Sequence, residues 1–194
     1  MHEYSINTEE RKNVLLVLSL FSIIFSWFFN KLLVIYKISL PWWVESPSVL
    51  FFYGLLFIIF DKWLWQYFKT INLIKTPNLN GKWTGYLKSS FSNHKLEVKA
   101  KIRIFQTWTK IKILLITNKS LSYSEVASIV INTPEGKYLS YQYINEPKTN
   151  SAKTMSIHRG SVRLLFNEKS YSLEGDYFSG RDRQNFGSLY FKRN

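Results

Sequence analysis

Cysteine is absent from the 194-residue chain, which excludes disulfides, a thiolate nucleophile and every Cys-based zinc or iron–sulfur site. Histidine is scarce, and His2, His94 and His158 lack the i, i+4 spacing of a helical metal site, so neither a metal nor another cofactor is expected. Carboxylates are thin in residues 76–194. Glu97 and Glu125 sit beside Lys or Ser, Glu135, Glu146 and Glu168 lie in turn-like contexts, and Glu174, Asp176 and Asp182 gather late without a following His. No Gly-rich phosphate loop opens a helix. Catalysis needs an acid, base or nucleophile in mutual reach, and this pattern points to a chain that is not an enzyme.

Basic charge is abundant. The net charge is +13, and residues 76–194 hold 19 Lys and Arg against 8 Asp and Glu, so 19 − 8 = +11 falls on that part and +2 on the rest. A basic domain attracts phosphates, nucleic acid or acidic headgroups.

The long apolar runs all precede Thr76. Residues 14–29 (VLLVLSLFSIIFSWFF) carry no charge, and the run resumes after Lys31 as far as Tyr36; a second run starts at Val49 and continues past Asp61 and Lys62 to Phe68. A span needs about 20 residues for a core of about 30 Å. Both runs are apolar on every side, Trp and Tyr gather at their ends (Tyr36, Trp42, Trp43, Trp63, Trp65, Tyr67), and Pro41 and Pro47 break the chain between them. The pattern predicts two transmembrane helices, about 14–35 and 48–68, forming a membrane hairpin over residues 1–75. A cleaved signal peptide is the competing reading of the first run, opposed by Glu9 and Glu10 and by the lack of a small-x-small site. Arg11, Lys12, Lys62, Lys69 and Lys75 outnumber the loop's Lys31 and Lys37, which predicts a multi-pass membrane protein with a cytoplasmic C-terminal domain.

After Pro77 the texture alternates with period 2. Residues 96–104 (LEVKAKIRI) put apolar side chains on one face and charges on the other. Further strands are expected at 81–89, 108–117, 123–132, 137–145, 155–166, 171–177 and 187–192. Turn clusters such as Asn132-Thr133-Pro134-Glu135-Gly136 separate several of them. The fold class is therefore two N-terminal transmembrane α-helices followed by an all-β domain over 76–194, an antiparallel up-and-down β-barrel of about eight strands, with a sandwich as the alternative.

Candidate ligand contacts lie in two patches. Residues 173–191 place Arg181, Arg183, Gln184 and Asn185 in the connection between the last two strands, a set suited to phosphates and base edges. The other patch, around His158-Arg159-Gly160, offers Arg159, although strict alternation turns Arg159 and Arg163 outward unless Gly160 forms a bulge. Trp83, Trp108 and Tyr141 are candidate stacking or pocket walls.

The opening LNGKWTGY at 79–86, the central His158-Arg159-Gly160 and the closing Leu173-x-Gly175-x-Tyr177, Arg181 and Gly187-Ser188, placed behind two apolar helices, resemble the two-transmembrane, β-strand-rich effectors of bacterial CBASS antiphage systems. The resemblance implies a minimal barrel that binds a cyclic dinucleotide made by a partner cyclic-nucleotide synthase. Binding would then drive homo-oligomerisation in the lipid bilayer, disruption of the inner membrane and abortive infection. Ser19, Ser22, Ser26 and Gly54 are small residues that let helices approach. A membrane-tethered lipid carrier and a membrane-anchored nucleic-acid-binding module remain the alternatives.

Overall fold

The structure, a computed structural model, describes residues 1–39, 41, 49–68, 74–92, 94, 96–151, 156–180 and 184–194. Two compact units emerge: Met1–Asn7 with Thr76–Asn194, and Thr8–Lys75.

The first unit is a closed barrel of nine strands: β1 (His2–Ile6), β2 (Gly81–Ser89), β3 (Glu97–Gln106), β4 (Lys110–Thr117), β5 (Ser120–Val130), β6 (Lys137–Pro147), β7 (His158–Asn167), β8 (Ser172–Ser179) and β9 (Phe186–Arg193). Strands β2 to β9 are the eight that alternation predicts. They run up and down, each antiparallel to the next, and β2 pairs with β9 to close the ring. Strand β3 shows why: Ala100, Ile102 and Ile104 are buried while Lys99, Lys101 and Arg103 face water. Each buried Ile there contributes roughly 1.5–3 kcal/mol.

The ninth strand corrects the expected count and takes residues 1–7 out of the apolar unit. Strands β4 and β5 pair directly only over 114–116 with 121–123. Beyond that the register of β5 shifts between Ser124 and Val126, and β1 enters the seam, antiparallel to β4 and parallel to β5. Residues 1–7 therefore belong to the barrel, not to the apolar segment that follows them.

Inward-facing glycines let adjacent strands close tightly. A Cβ on Gly175 would lie 2.0 Å from the Arg163 carbonyl oxygen, and one on Gly85 1.8 Å from that of Tyr190. Neither site admits a side chain without displacing backbone.

The second unit holds α1 (Glu10–Ile35) and α2 (Val49–Lys62), whose ring contacts are Phe25 and Phe29 against Phe52. At 1.5 Å per residue α1 is about 39 Å long. Among the described residues it is the one helix long and apolar enough to cross a membrane. The expected second span is corrected: α2 has 14 residues, about 21 Å. It stops at Lys62 because the Asp61-Lys62 pair is followed by Trp63, which leaves helical geometry at φ −131°, and the chain continues as a single 3-10 turn at Leu64–Gln66.

Candidate ligand-binding site

The two ends of the barrel differ. One is plugged. Trp83 and Trp108 are almost wholly buried there, the Trp83 indole N–H donates to the Leu79 carbonyl at 3.0 Å, and the Gln106 amide spans the end, accepting from the Leu79 N–H and donating to the Pro77 carbonyl. The other end is open. Residues of the β2–β3 and β4–β5 connections, the facing ends of β6, β7 and β8, and Asn185 surround a cavity of about 450 Å³, a size ordinary for small-molecule sites.

Alternation builds this cavity in layers. Leu115, Val162 and Leu189 form its apolar floor, and Tyr141, Tyr143 and Tyr177 its aromatic walls. Above them Thr117, Ser120, Ser122, Asn145, His158, Ser179 and Asn185 ring the mouth. Ser122 Oγ donates to Asn145 Oδ1 at 2.8 Å. Thr117 Oγ1 accepts the Ser120 N–H at 2.9 Å. His158 Nδ1 lies 3.0 Å from the Ser156 carbonyl, and a carbonyl only accepts, so in the neutral ring Nε2 is left as an acceptor. Lys119 is the one cation among the described lining residues.

Tyr141 stands apart. It is 4% exposed, and its hydroxyl has no hydrogen-bond partner among the described residues. Burial pushes that hydroxyl well above the usual tyrosine range, so it stays a neutral phenol able to donate. An unpaired buried hydroxyl costs roughly 1–3 kcal/mol. A ligand polar atom in the cavity would remove that cost.

The expected contacts divide. Tyr141 and Asn185 line the cavity. Arg181 and Arg183 lie outside the described residues, which resume at Gln184, whose N–H donates to the Gly180 carbonyl at 3.1 Å. Arg159 is corrected: it points outward, 77% exposed and 3.7 Å from Glu125, because β6 and β7 stay in register through Gly160. The glycine there serves close approach instead, since a Cβ would lie 2.5 Å from the Tyr143 hydroxyl. Trp83 and Trp108 are corrected too, since they plug the closed end and are not walls of the mouth. Residue-by-residue reading missed Asn145 and left His158, Tyr143 and Tyr177 out of the candidate contacts. Their signal was the alternation itself, which puts Tyr141, Tyr143 and Asn145 on one inward row.

A barrel plugged at one end and open at the other on an aromatic, hydrogen-bonding cavity is built as a small-ligand receptor, and its chain carries an apolar helix of membrane-crossing length. Comparison with known sequences makes the class specific. The profile described as "Cap15, cyclic dinucleotide receptor domain" matches residues 74–193, and the chain belongs to that family. A "CD-NTase-associated protein 15" of Yersinia aleksiciae is 36% identical over 140 residues, 71% of this chain and 65% of its own length. Proteins with the same description from Staphylococcus schleiferi and Escherichia albertii are 30% and 27% identical, each over 68% of this chain and over 68% and 69% of their own lengths. The chain thus spans slightly less than two thirds of the Yersinia relative.

Proposed function

We propose that the protein is a ligand-gated antiphage effector of the CBASS type, in which the barrel mouth binds a cyclic dinucleotide and the apolar unit acts on the bilayer. The observation that carries this reading is the Tyr141 hydroxyl, buried and unpartnered among the described residues at the wall of an open cavity. The family description supports the ligand class. A cyclic dinucleotide brings two bases, which suit the tyrosine walls and apolar floor, and hydrogen-bonding edges, which suit Asn145, His158 and Asn185. Its two phosphates call for cations, and Lys119 is joined for that role by Arg181 and Arg183 of the β8–β9 connection.

The output is proposed from composition and family. The apolar unit, residues 8–75, is held in the inner membrane through α1, and the barrel lies in the cytoplasm. Ligand binding favours a self-associated form of the apolar unit that disrupts the membrane, and the ligand gates this only by binding that form better than the resting one. The partner enzyme is the synthase that makes the ligand.

Isothermal titration of the full-length chain in detergent against 3′,5′-linked cyclic dinucleotides carrying A, G or U is the direct test, with fatty acids, lysophospholipids and single-stranded oligonucleotides in parallel. Saturable binding of at least one cyclic dinucleotide is expected. The mostly apolar floor also suits an amphiphile, so binding of fatty acid or lysophospholipid alone replaces this reading with a lipid carrier.

A further inference from the structure

The mouth and the first strand meet in one row of side chains. Tyr141 on β6 is the cross-strand partner of Ala127 on β5, and Ala127 is the partner of Tyr4 on β1. All three face inward, 4%, 3% and 2% exposed. The row starts at the cavity wall and ends on the strand that the chain continues, after residues 7–9, into α1.

That strand is held by few ladder pairs, two with β4 and three with β5. It has five residues and joins β5 in the weaker parallel sense. The Tyr4 hydroxyl donates to the Trp108 carbonyl at 2.7 Å. His2 Nε2 lies 2.8 Å from Ser124 Oγ, which also accepts the Ile113 N–H. The Asn7 side chain accepts the Ile131 N–H. Without β1, strands β4 and β5 remain joined by their direct pairing over 114–116 with 121–123, and the rest of the seam stands open. A short strand seated in such a seam is the kind of element that opens locally.

We propose that the β4–β5 seam is a strand-binding site that β1 enters and leaves, and that occupancy of the seam and of the mouth oppose one another through the Tyr141–Ala127–Tyr4 row. A ligand ring pressed on Tyr141 meets no slack: Ala127 is the one small residue, and behind it stands Tyr4. Filling the mouth thereby unseats β1 and changes the restraint on the start of α1. The ligand half of this inference rests on the receptor reading above; the strand half does not.

Because the chain lacks cysteine, the double variant E3C/K110C carries a single pair of thiols. Glu3 and Lys110 are exposed antiparallel partners, spaced about 4.5–5.5 Å between Cα atoms, within disulfide range. In lipid nanodiscs, hydrogen exchange of the full-length chain is compared for Tyr4→Ala and for oxidised and reduced E3C/K110C. Without any ligand, Tyr4→Ala is expected to speed exchange about tenfold at 120–122 and 141–145 as well as at the seam, and the closed disulfide to slow both regions. Should Tyr4→Ala fail to fold, the oxidised and reduced forms of E3C/K110C decide the coupling by themselves. Changes confined to the seam, with the mouth unaltered, overturn the coupling. With cyclic dinucleotide added, oxidation is expected to weaken affinity about tenfold; equal affinities overturn the proposal. If no cyclic dinucleotide binds the unmodified chain, the receptor reading falls and the ligand-free comparison still decides the strand.

Discussion

At the residue scale, Tyr141 is the side chain on which the receptor reading turns. Replacing it by Phe removes a hydroxyl left unpaired among the described residues, so the ligand-free fold is expected to hold its stability or gain up to about 1 kcal/mol by thermal or urea unfolding. Cyclic dinucleotide affinity is expected to fall about tenfold, the loss of one well-made hydrogen bond. A large loss of stability with unchanged affinity would show that the hydroxyl serves the core. The same residue sets an alkaline limit. Its folded value is raised by burial, so its contribution is full below the ordinary tyrosine value of about 10 and is lost as pH climbs above it toward the folded value. Tyr141→Phe should therefore flatten the decline of stability above about pH 10. The displaced candidates make the opposite prediction. Arg159 is a surface residue whose ion pair with Glu125 is worth about 0–1 kcal/mol, so Arg159→Ala is expected to leave affinity within about twofold. Trp83→Ala, at the plug, is expected to cost about 3–5 kcal/mol of stability. Titration and unfolding of the two variants separate site from scaffold.

At the element scale, the strands were legible and the exceptions are local. Expected and observed limits of β2 coincide at Gly81–Ser89, because period-2 alternation is a local property of the chain. Strand β1 was not legible because HEYSI is too short to set a period, and its partners lie more than 100 residues away. The apolar run after Val49 read as one long helix, yet the helix ends at Lys62, where Trp63 leaves helical geometry. Two substitutions probe element packing. Gly175→Ala drives a methyl into the Arg163 carbonyl and is expected to lower stability by about 3 kcal/mol or more. On α1 the buried residues Glu10, Val14, Leu18, Ser22 and Ser26 recur every four positions. Ser22→Leu overfills that stripe, and a loss of about 1–3 kcal/mol in detergent is expected; unchanged stability would mean that the stripe has room to spare.

At the scale of the whole molecule, the excess of Lys and Arg on the flanks of the apolar runs over the loop between them gives an orientation to test. The chain should fractionate with the inner membrane, and single cysteines on the outer wall of the barrel, such as Ser128→Cys, should react with an impermeant maleimide in inverted vesicles but not in intact spheroplasts. Labelling from the periplasmic side would reverse the proposed topology. Ligand-dependent leakage of dye from vesicles containing the chain is expected; binding without leakage would confine the protein to sensing.

The sequence by itself determined which parts of the chain are apolar throughout, which alternate, and which side of each strand turns inward, since these follow from the spacing of neighbouring residues. It did not determine depth. Trp83, Trp108 and Tyr141 all face the interior, and only the tertiary structure sets the first two in a plug and the third at an open mouth. Position along the barrel axis depends on how nine registers add up around the ring, and the pairings that close it, β2 with β9 and β1 with β4 and β5, join distant segments. The seating of β1 between β4 and β5 belongs to the same class. A seam exists only where two strands part, and no single stretch of sequence records that parting.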